Sequence, residues 1–399
     1  MKRKSQYIVV IVVLFLIVST SCKKEVDFLN VSEECNINFY DSSNQNPKAQ
    51  DYLKLLDKYV QKGLPGLALL VKTPEQGLWV GASGYSNIET KSKMKICNIV
   101  YSASIGKTYC AVAVMQLVDQ GKIQLEDKIN LYLGSNICDK IPNGNSATIR
   151  DLLGHTSGIP NFETGTDFIA DVLNDPFSIT TPDLIEYEYN KKPLFGAGED
   201  YKYSSTGYEL LAKIIDNVTH ENHCKYYTSN IFAPAGMVNT YYKQEEGFPI
   251  PPGLVQCYFD RLGNGKIENI SATNNYLTKI FTGSDGIMAP VYDYYLFINA
   301  LVNGNLVNEE SFAEMTTWRD TYSWTTNQYG LGLQKRETKY GNKIGHDGDA
   351  MGAGADMFYF PESDVFIVSA TNLGTFLDTD LSRLYNEDFQ DELLDVIFK

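Results

Sequence analysis

Past its first twenty residues this 399-residue chain has no apolar run long enough to cross a bilayer, which argues against a multi-span helical membrane protein. Basic charge is scarce as well. Thirty-four Lys and Arg face 49 Asp and Glu, for a formal net charge of −15 and a pI near 4.8. A surface of that sign repels phosphate backbones, so nucleic acid is not expected as a partner. There is no internal repeat and no low-complexity tract, which sets aside solenoids and fibrous arrays. The seven cysteines fall at spacings that show no disulfide framework, and a chain of this length does not need one. The glycine-rich stretch Met351-Gly352-Ala353-Gly354-Ala355 lacks dinucleotide-binding spacing, and no helix follows it. What remains is ordinary globular composition, 43% hydrophobic and 21% charged, with room for one large domain or two medium ones.

The N-terminus reads as a processing signal. Met1-Lys2-Arg3-Lys4 is a basic stretch, and Tyr7 to Val18 is an apolar segment too short for a comfortable span. Ser19-Thr20-Ser21-Cys22 then resembles a bacterial lipobox, although leucine is usual where Ser19 stands. The competing reading is an ordinary signal peptide followed by a chance cysteine. The expectation is a signal over residues 1–21, a lipidated Cys22 with a polar tether over 22–48, and a folded domain over 49–399. The protein is thus expected to be exported and membrane-anchored, facing the periplasm or the cell surface. Six cysteines remain after Cys22, and their pairing is left open.

Within the domain, Leu53, Leu55, Leu56 and Val60 have helical spacing, and Gly63 closes that helix. Leu67–Lys72 and Leu78–Ser83 read as two strands around a turn. Thr108–Gln120 is an apolar helix closed by Gly121. Helices and loops follow: Pro182–Tyr189, Tyr208–Val218 and His223–Phe232. The tail turns to short strands at Tyr329–Gln334, Asn342–His346, Asp356–Phe360 and Val365–Ala370, then a terminal helix over Leu381–Phe398. Strands at both ends with helices between predict an α/β (α+β) fold: an antiparallel sheet flanked by helices, carrying a mostly helical lobe inserted over about 104–270.

The chemistry starts at Ser104-Ile105-Gly106-Lys107. Residues three apart share a helix face. A serine in the first turn feels the positive end of the helix dipole, and the lysine is near enough to take its proton. The same spacing recurs at Ser21-Cys22-Lys23-Lys24 and Ser92-Lys93-Met94-Lys95, but only Ser104 opens a strong apolar helix. On spacing alone a surface N-cap serine is an equal alternative.

Context separates the two. Pro65-Gly66-Leu67, Gly84-Tyr85, Tyr101-Ser102-Ala103-Ser104-Ile105-Gly106-Lys107, and Gln116-Leu117 with Gly121–Asp127 come in the order found in a known family. Ile149–Gly158, Tyr203–Leu211, Gly236-Met237, Tyr329-Gly330-Leu331-Gly332 and His346-Asp347-Gly348 continue it. Together they resemble the serine β-lactamase (class C-like) and D-alanyl-D-alanine carboxypeptidase superfamily, in its esterase and peptidase branch. The resemblance implies a β-lactamase/transpeptidase-like fold with Ser104, Lys107 and Tyr203 as the catalytic set. The second motif is tyrosine, any residue, asparagine. Tyr203-Ser204-Ser205 has the right flanks but carries Ser205 in place of the amide, which shortens its reach towards a substrate. The literal match Tyr85-Ser86-Asn87 precedes the nucleophile. Without context Tyr203 would be one of 27 tyrosines and read as packing. The third motif, Lys-Thr-Gly in many lactamases and His-x-Gly in the esterase branch, is His346-Asp347-Gly348. Gly348 lets the backbone approach substrate, and the N–H of Asp349 would join that of Ser104 in an oxyanion hole. Asp349 is an unusual place for a negative charge, and Ser284-Asp285-Gly286 only superficially matches a class A motif.

The implied reaction is acyl transfer through Ser104 on an amide, ester or lactam, with Lys107 and Tyr203 sharing the proton and either serving as base. Histidine in the third motif favours peptidase or esterase over lactamase, because a neutral imidazole holds a substrate carboxylate less firmly than lysine. A small-molecule or peptide substrate is expected, peptidoglycan-derived peptides among them. No cofactor is called for. His220-Glu221-Asn222-His223-Cys224 has the look of a metal cluster but offers no fourth ligand, and His155 reads as a structural hydrogen-bonder. The alternative function is a non-catalytic cell-wall or ligand-binding lipoprotein that keeps the fold, which Ser205 and Asp349 would permit.

Overall fold

The computed structural model describes residues 27–35, 45–242, 250–321 and 328–399. The leader, Cys22 and part of the expected tether lie outside the described residues.

The first helix, α1 (Ala49–Lys62), ends at Gly63, whose φ of 127° no side-chain-bearing residue adopts easily. Strands β1 (Gly66–Thr73) and β2 (Gly77–Asn87) follow as a hairpin, with β3 (Ser92–Lys93) at the sheet edge and β4 (Val100–Tyr101) outside it. Next come α2 (Gly106–Asp119), α3 (Ile149–Leu153), α4 (Thr166–Asn174) and α5 (Ser205–Thr219). Small strands β5 (Tyr241–Tyr242), β6 (Tyr258–Phe259) and β7 (Glu268–Asn269) lead to α6 (Ser271–Ile280). Beyond it lie β8 (Ile287–Ala289), α7 (Val291–Val302) and α8 (Glu309–Met315). The chain then returns to the sheet through β9 (Arg319–Asp320), β10 (Gln328–Tyr329), β11 (Gln334–Thr338), β12 (Gly341–Asp349), β13 (Gly354–Phe360) and β14 (Val365–Thr371), and ends in α9 (Gln390–Phe398).

The main sheet has nine antiparallel strands in the order β3-β2-β1-β14-β13-β12-β11-β10-β9. The two ends of the chain therefore meet in its middle, with Leu67 opposite Thr371 and Val71 opposite Ile367. Side chains alternate across a strand, and in β1 both sets are apolar. Leu67, Leu69 and Val71 pack with Tyr52, Leu56 and Tyr59 of α1 and Leu393 of α9. Ala68 and Leu70 face the other way, into the larger core built on α2. Every residue from Gly106 to Leu117 of α2 is buried, as expected of a helix that is apolar all round. The fold is thus the predicted one: an antiparallel sheet flanked by helices, plus a helical lobe.

Two tail elements differ from expectation. Tyr329–Gln334 is not one strand, because Gly330 and Gly332 turn the chain between β10 and β11. Gly332 has φ 76°, and Gly330 donates its N–H to Leu333 O at 2.8 Å. The terminal helix is interrupted by a wider π-type turn at Leu384–Phe389, between Asp380–Arg383 and α9.

Candidate active site

Ser104 occupies a short 3₁₀ turn, Ala103–Ile105, that feeds into α2. Ala103 has φ 46°, a conformation a non-glycine residue holds only where its surroundings force it. One turn on, Lys107 is fully buried. Its Nζ donates to Ser104 Oγ at 2.9 Å and to Ser284 O at 3.2 Å, and lies 5.0 Å from the centre of the Tyr203 ring. The Tyr203 phenol lies close enough to Ser104 for the serine to lower its pKa. The three groups singled out in the sequence converge at one place. Burial pushes the Lys107 amine below its ordinary pKa, against the pull of Glu163 first, then Asp285, Glu209 and Asp347. Burial pushes the Tyr203 phenol well above its ordinary pKa, helped by Tyr329 and opposed by Ser104. At neutral pH these shifts favour a protonated phenol beside an amine that gives up its proton more readily than a free lysine does.

A loop over Thr282–Gly286 closes the site from the far side. Gly106 admits it, since a Cβ there would lie 2.8 Å from Asp285 Cα. The buried Glu209 carboxylate fixes the loop, accepting from Thr282 N–H at 2.7 Å, from the Thr282 hydroxyl, and from Ser284 Oγ at 2.5 Å. Asp285 accepts from Ser102 Oγ at 3.1 Å, and burial raises its pKa to about 6.

On the opposite wall, β12 lies against the residues that precede the serine. A Cβ on Gly348 would stand 2.2 Å from Ser102 O and 2.9 Å from Ala103 Cβ. His346 is fully buried, with Nε2 3.0 Å from Tyr329 Oη and the ring 6.4 Å from that of Tyr203. Burial lowers its pKa to about 4, so it is neutral. Asp347 pairs with Arg336 and accepts from Gln334 Nε2 at 2.6 Å, which pins β12 to β11. Asp349, exposed at the end of β12, accepts from Thr375 Oγ1 at 2.5 Å and Asn386 Nδ2 at 3.1 Å.

Ser205 is buried and donates from Oγ to Glu163 Oε2 at 2.5 Å, while its N–H reaches Asn161 Oδ1 at 3.1 Å. The short hydroxyl therefore hands its position to a carboxylate. Glu163 joins Ser104, Asp285 and Asp349 around a cavity of about 240 Å³. Phe168, Ile169, Val172, Leu277, Phe281 and Met351 supply much of its apolar wall. Arg261 also lines it, 3.5 Å from Glu268. The space suits a ligand of about amino-acid size, being below the ~300 Å³ at which drug-sized pockets begin.

Other sequence candidates lie elsewhere. Asn87 of Tyr85-Ser86-Asn87 accepts from Thr90 N–H in the turn after β2. His155 accepts from Ser204 N–H through Nδ1 at 3.2 Å and packs on Tyr203 with centroids 4.2 Å apart, a support beneath the second motif. His223 Nδ1 is 2.8 Å from Asp216 Oδ1, and among the described residues no group of three or more His, Cys, Asp or Glu is placed to hold a metal. Cys35 and Cys97 form a disulfide, while Cys110, Cys138, Cys224 and Cys257 are buried thiols. Among the described residues no helix is long and apolar enough to cross a membrane. Sequence reasoning missed Glu163 and Glu209. A lone acid in a short 3₁₀ turn, Phe162–Thr164, carries no pattern, whereas Glu209 stood inside a quoted motif, where an acid at an otherwise apolar helix position was a usable signal.

A serine, a buried lysine and a tyrosine on an antiparallel sheet with a helical lobe define a serine-hydrolase-like scaffold of the penicillin-recognising kind. Residues 50–390 match the beta-lactamase family, and the chain belongs to it. It is 28% identical over 302 residues to PbpX of Bacillus subtilis (strain 168), spanning 75% of this chain and 67% of that one. It is 28% identical over 200 residues to protein flp of Staphylococcus aureus (strain N315), covering 50% of this chain and only 39% of that protein. In fold it is similar to the D-amino acid amidase of Ochrobactrum anthropi SV3, solved with L-phenylalanine amide, at a TM-score of 0.73 and 24% identity over 86% of this chain and 96% of that one. It is also similar to a penicillin-binding protein of Bacillus halodurans, at a TM-score of 0.70 and 22% identity over 86% of this chain and 98% of that one.

Proposed function

We propose that this is an exported, lipid-anchored serine hydrolase that forms an acyl-enzyme at Ser104 from amides or esters of apolar D-amino acids with a free α-amino group. The 2.9 Å contact between Lys107 Nζ and Ser104 Oγ carries the reading, because it joins the nucleophile to an amine whose pKa burial has lowered. Lys107 takes the hydroxyl proton as Ser104 attacks the carbonyl. Tyr203, its phenol protonated, donates to the leaving nitrogen or oxygen. The N–H groups of Ser104 and Asp349 hold the oxyanion, and water then releases the acyl group. His346 acts through Tyr329 as a positioning residue.

The substrate class follows from the cavity. Its apolar wall suits an aromatic or branched side chain, and Glu163, held by Ser205, offers a carboxylate to an ammonium. With Glu163, Asp285 and Asp349 around the serine, a substrate carboxylate is a poor guest. The similarity in fold to a D-amino acid amidase is the ground for placing D-enantiomers first in the test. The test is a panel of D- and L-phenylalanine amides and esters, an N-acetylated D-phenylalanine ester, a D-alanyl-D-alanine peptide and a chromogenic cephalosporin. The free-amine D-compounds should be turned over fastest. Preference for the N-acetyl ester or the carboxylate-bearing compounds would overturn the assignment.

A further inference from the structure

Eight large hydrophobic side chains are exposed among the described residues, and five of them lie on or next to the elements that line one cavity. Leu173, Phe376 and Leu377 line the catalytic cavity itself. Leu262 follows the cavity-lining Arg261, and the Phe177 ring packs on Tyr276, the neighbour of cavity-lining Leu277, with centroids 5.2 Å apart. Their exposures run from 39% at Leu377 to 62% at Leu262. Exposed apolar side chains on the elements around one opening, on an otherwise strongly acidic protein, make a collar that marks an interaction surface.

The path of the chain says what covers it. Asp27 is held at the start of α6, accepting from Thr273 N–H at 2.8 Å through its carboxylate and from Ala272 N–H at 3.3 Å through its carbonyl. Leu29 exchanges two hydrogen bonds with the Gln256 side chain, at 3.2 and 2.7 Å, and the Cys35–Cys97 disulfide fastens the segment further on. The same α6 gives Asn274, Leu277 and Thr278 to the cavity wall. Cys22 stands five residues before Asp27, and five residues reach at most about 18 Å even when fully extended. A lipid on Cys22 therefore leaves the collar little distance from the bilayer.

We propose that the collar formed by Leu173, Phe177, Leu262, Phe376 and Leu377 docks on a zwitterionic lipid surface, so that the catalytic cavity opens at the membrane–water boundary. This rests on lipidation of Cys22, not on the chemistry assigned to Ser104. The acidic charge of the chain makes an anionic surface the poorer partner.

Hydrogen–deuterium exchange on the lipidated chain, in phosphatidylcholine vesicles and in detergent micelles, provides the test. Intact mass first shows whether Cys22 carries lipid. In vesicles, peptides spanning Leu173–Phe177, Leu262 and Phe376–Leu377 should gain protection, and those around Leu131 and Val238 should not. In the unlipidated Cys22→Ser chain, flotation with the same vesicles should be weak but measurable, and Leu173→Ser/Phe376→Ser/Leu377→Ser should cut it about tenfold while Val238→Ser leaves it unchanged. Equal protection at Val238, or none at the collar, overturns the proposal. So does protection that depends on protein concentration without vesicles, which would make the partner a second copy. Unchanged flotation of the triple variant with a raised KM for apolar substrates would assign the collar to substrate instead. An unlipidated Cys22 in the mature chain removes the anchor on which the docking rests and overturns the proposal.

Discussion

Replacing Gly348 by alanine tests the wall between β12 and the serine turn. The new methyl would meet Ser102 O at 2.2 Å and Ala103 Cβ at 2.9 Å, and both neighbours belong to the segment leading into Ser104. Ordinary carbon contacts need about 3.5 Å, so the strand and the turn must part by about 1 Å. The partner at 2.2 Å is backbone, so no side-chain rotation relieves the clash. Overpacking of this kind costs about 1–3 kcal/mol, which for a domain of this size lowers Tm by only a few degrees. The effect on turnover is larger, because Ser104 and Asp349 lie on the two sides of the gap, and a 1 Å misplacement of reacting groups can cost about 100-fold. Gly348→Ala should therefore fold, melt slightly early, and lose about 100-fold in kcat with KM changed by less than about threefold on D-phenylalanine p-nitroanilide. A variant with a wild-type kcat would refute the argument that this glycine sets the separation of nucleophile and oxyanion hole.

Glu163→Gln keeps a partner for Ser205 but removes the charge. The rate for a free-amine D-phenylalanine ester should fall about 10–100-fold in kcat/KM, with its N-acetyl analogue little affected; equal losses on both would show that Glu163 does not read the amine. Burial holds His346 at about 4 when folded, against 6.5 in an exposed chain. Its contribution is whole above pH 6.5 and is lost as pH falls towards 4, by about 3 kcal/mol. Melting scans from pH 7 to 4 should show a declining Tm, and His346→Gln should flatten the decline without abolishing it, since burial also depresses His155. An unchanged slope in His346→Gln would contradict that origin. The Cys35–Cys97 bridge closes a loop of 62 residues, so Cys35→Ser/Cys97→Ser should lose at most about 4 kcal/mol, seen as a lower calorimetric Tm that reductant no longer shifts.

Much of the scaffold was legible because its signals are local. The short apolar run Leu67–Lys72, the apolar helix after Ser104 and the closing glycines at 63 and 121 each carry their own length, period or stop signal. Tyr329–Gln334 misled because its residues have strand propensity, while Gly330 and Gly332 are required by close packing on Met315 and Ala111, which no local window contains. The convergence of Ser104, Lys107 and Tyr203 was expected from a resemblance rather than from spacing, which also matched Ser92-Lys93-Met94-Lys95, a stretch entering the edge strand β3. Ser205 stood out as a departure, but not what it reaches. Glu163 lies 42 residues earlier, and nothing in either neighbourhood points to the other. The Cys35–Cys97 pairing was equally silent, since the two residues meet only through the path of the strap from Asp27 to Cys35.

The central claim is that Ser104 becomes acylated. Intact mass spectrometry of the protein, acid-quenched during turnover of a D-phenylalanine ester, reads this directly. One added phenylalanyl group should be present in the wild type, map by peptide digestion to the segment holding Ser104, form far more slowly in Lys107→Ala, and be absent from Ser104→Ala. An adduct of the same size on Ser104→Ala, or one mapping to a different residue in the wild type, would contradict the account.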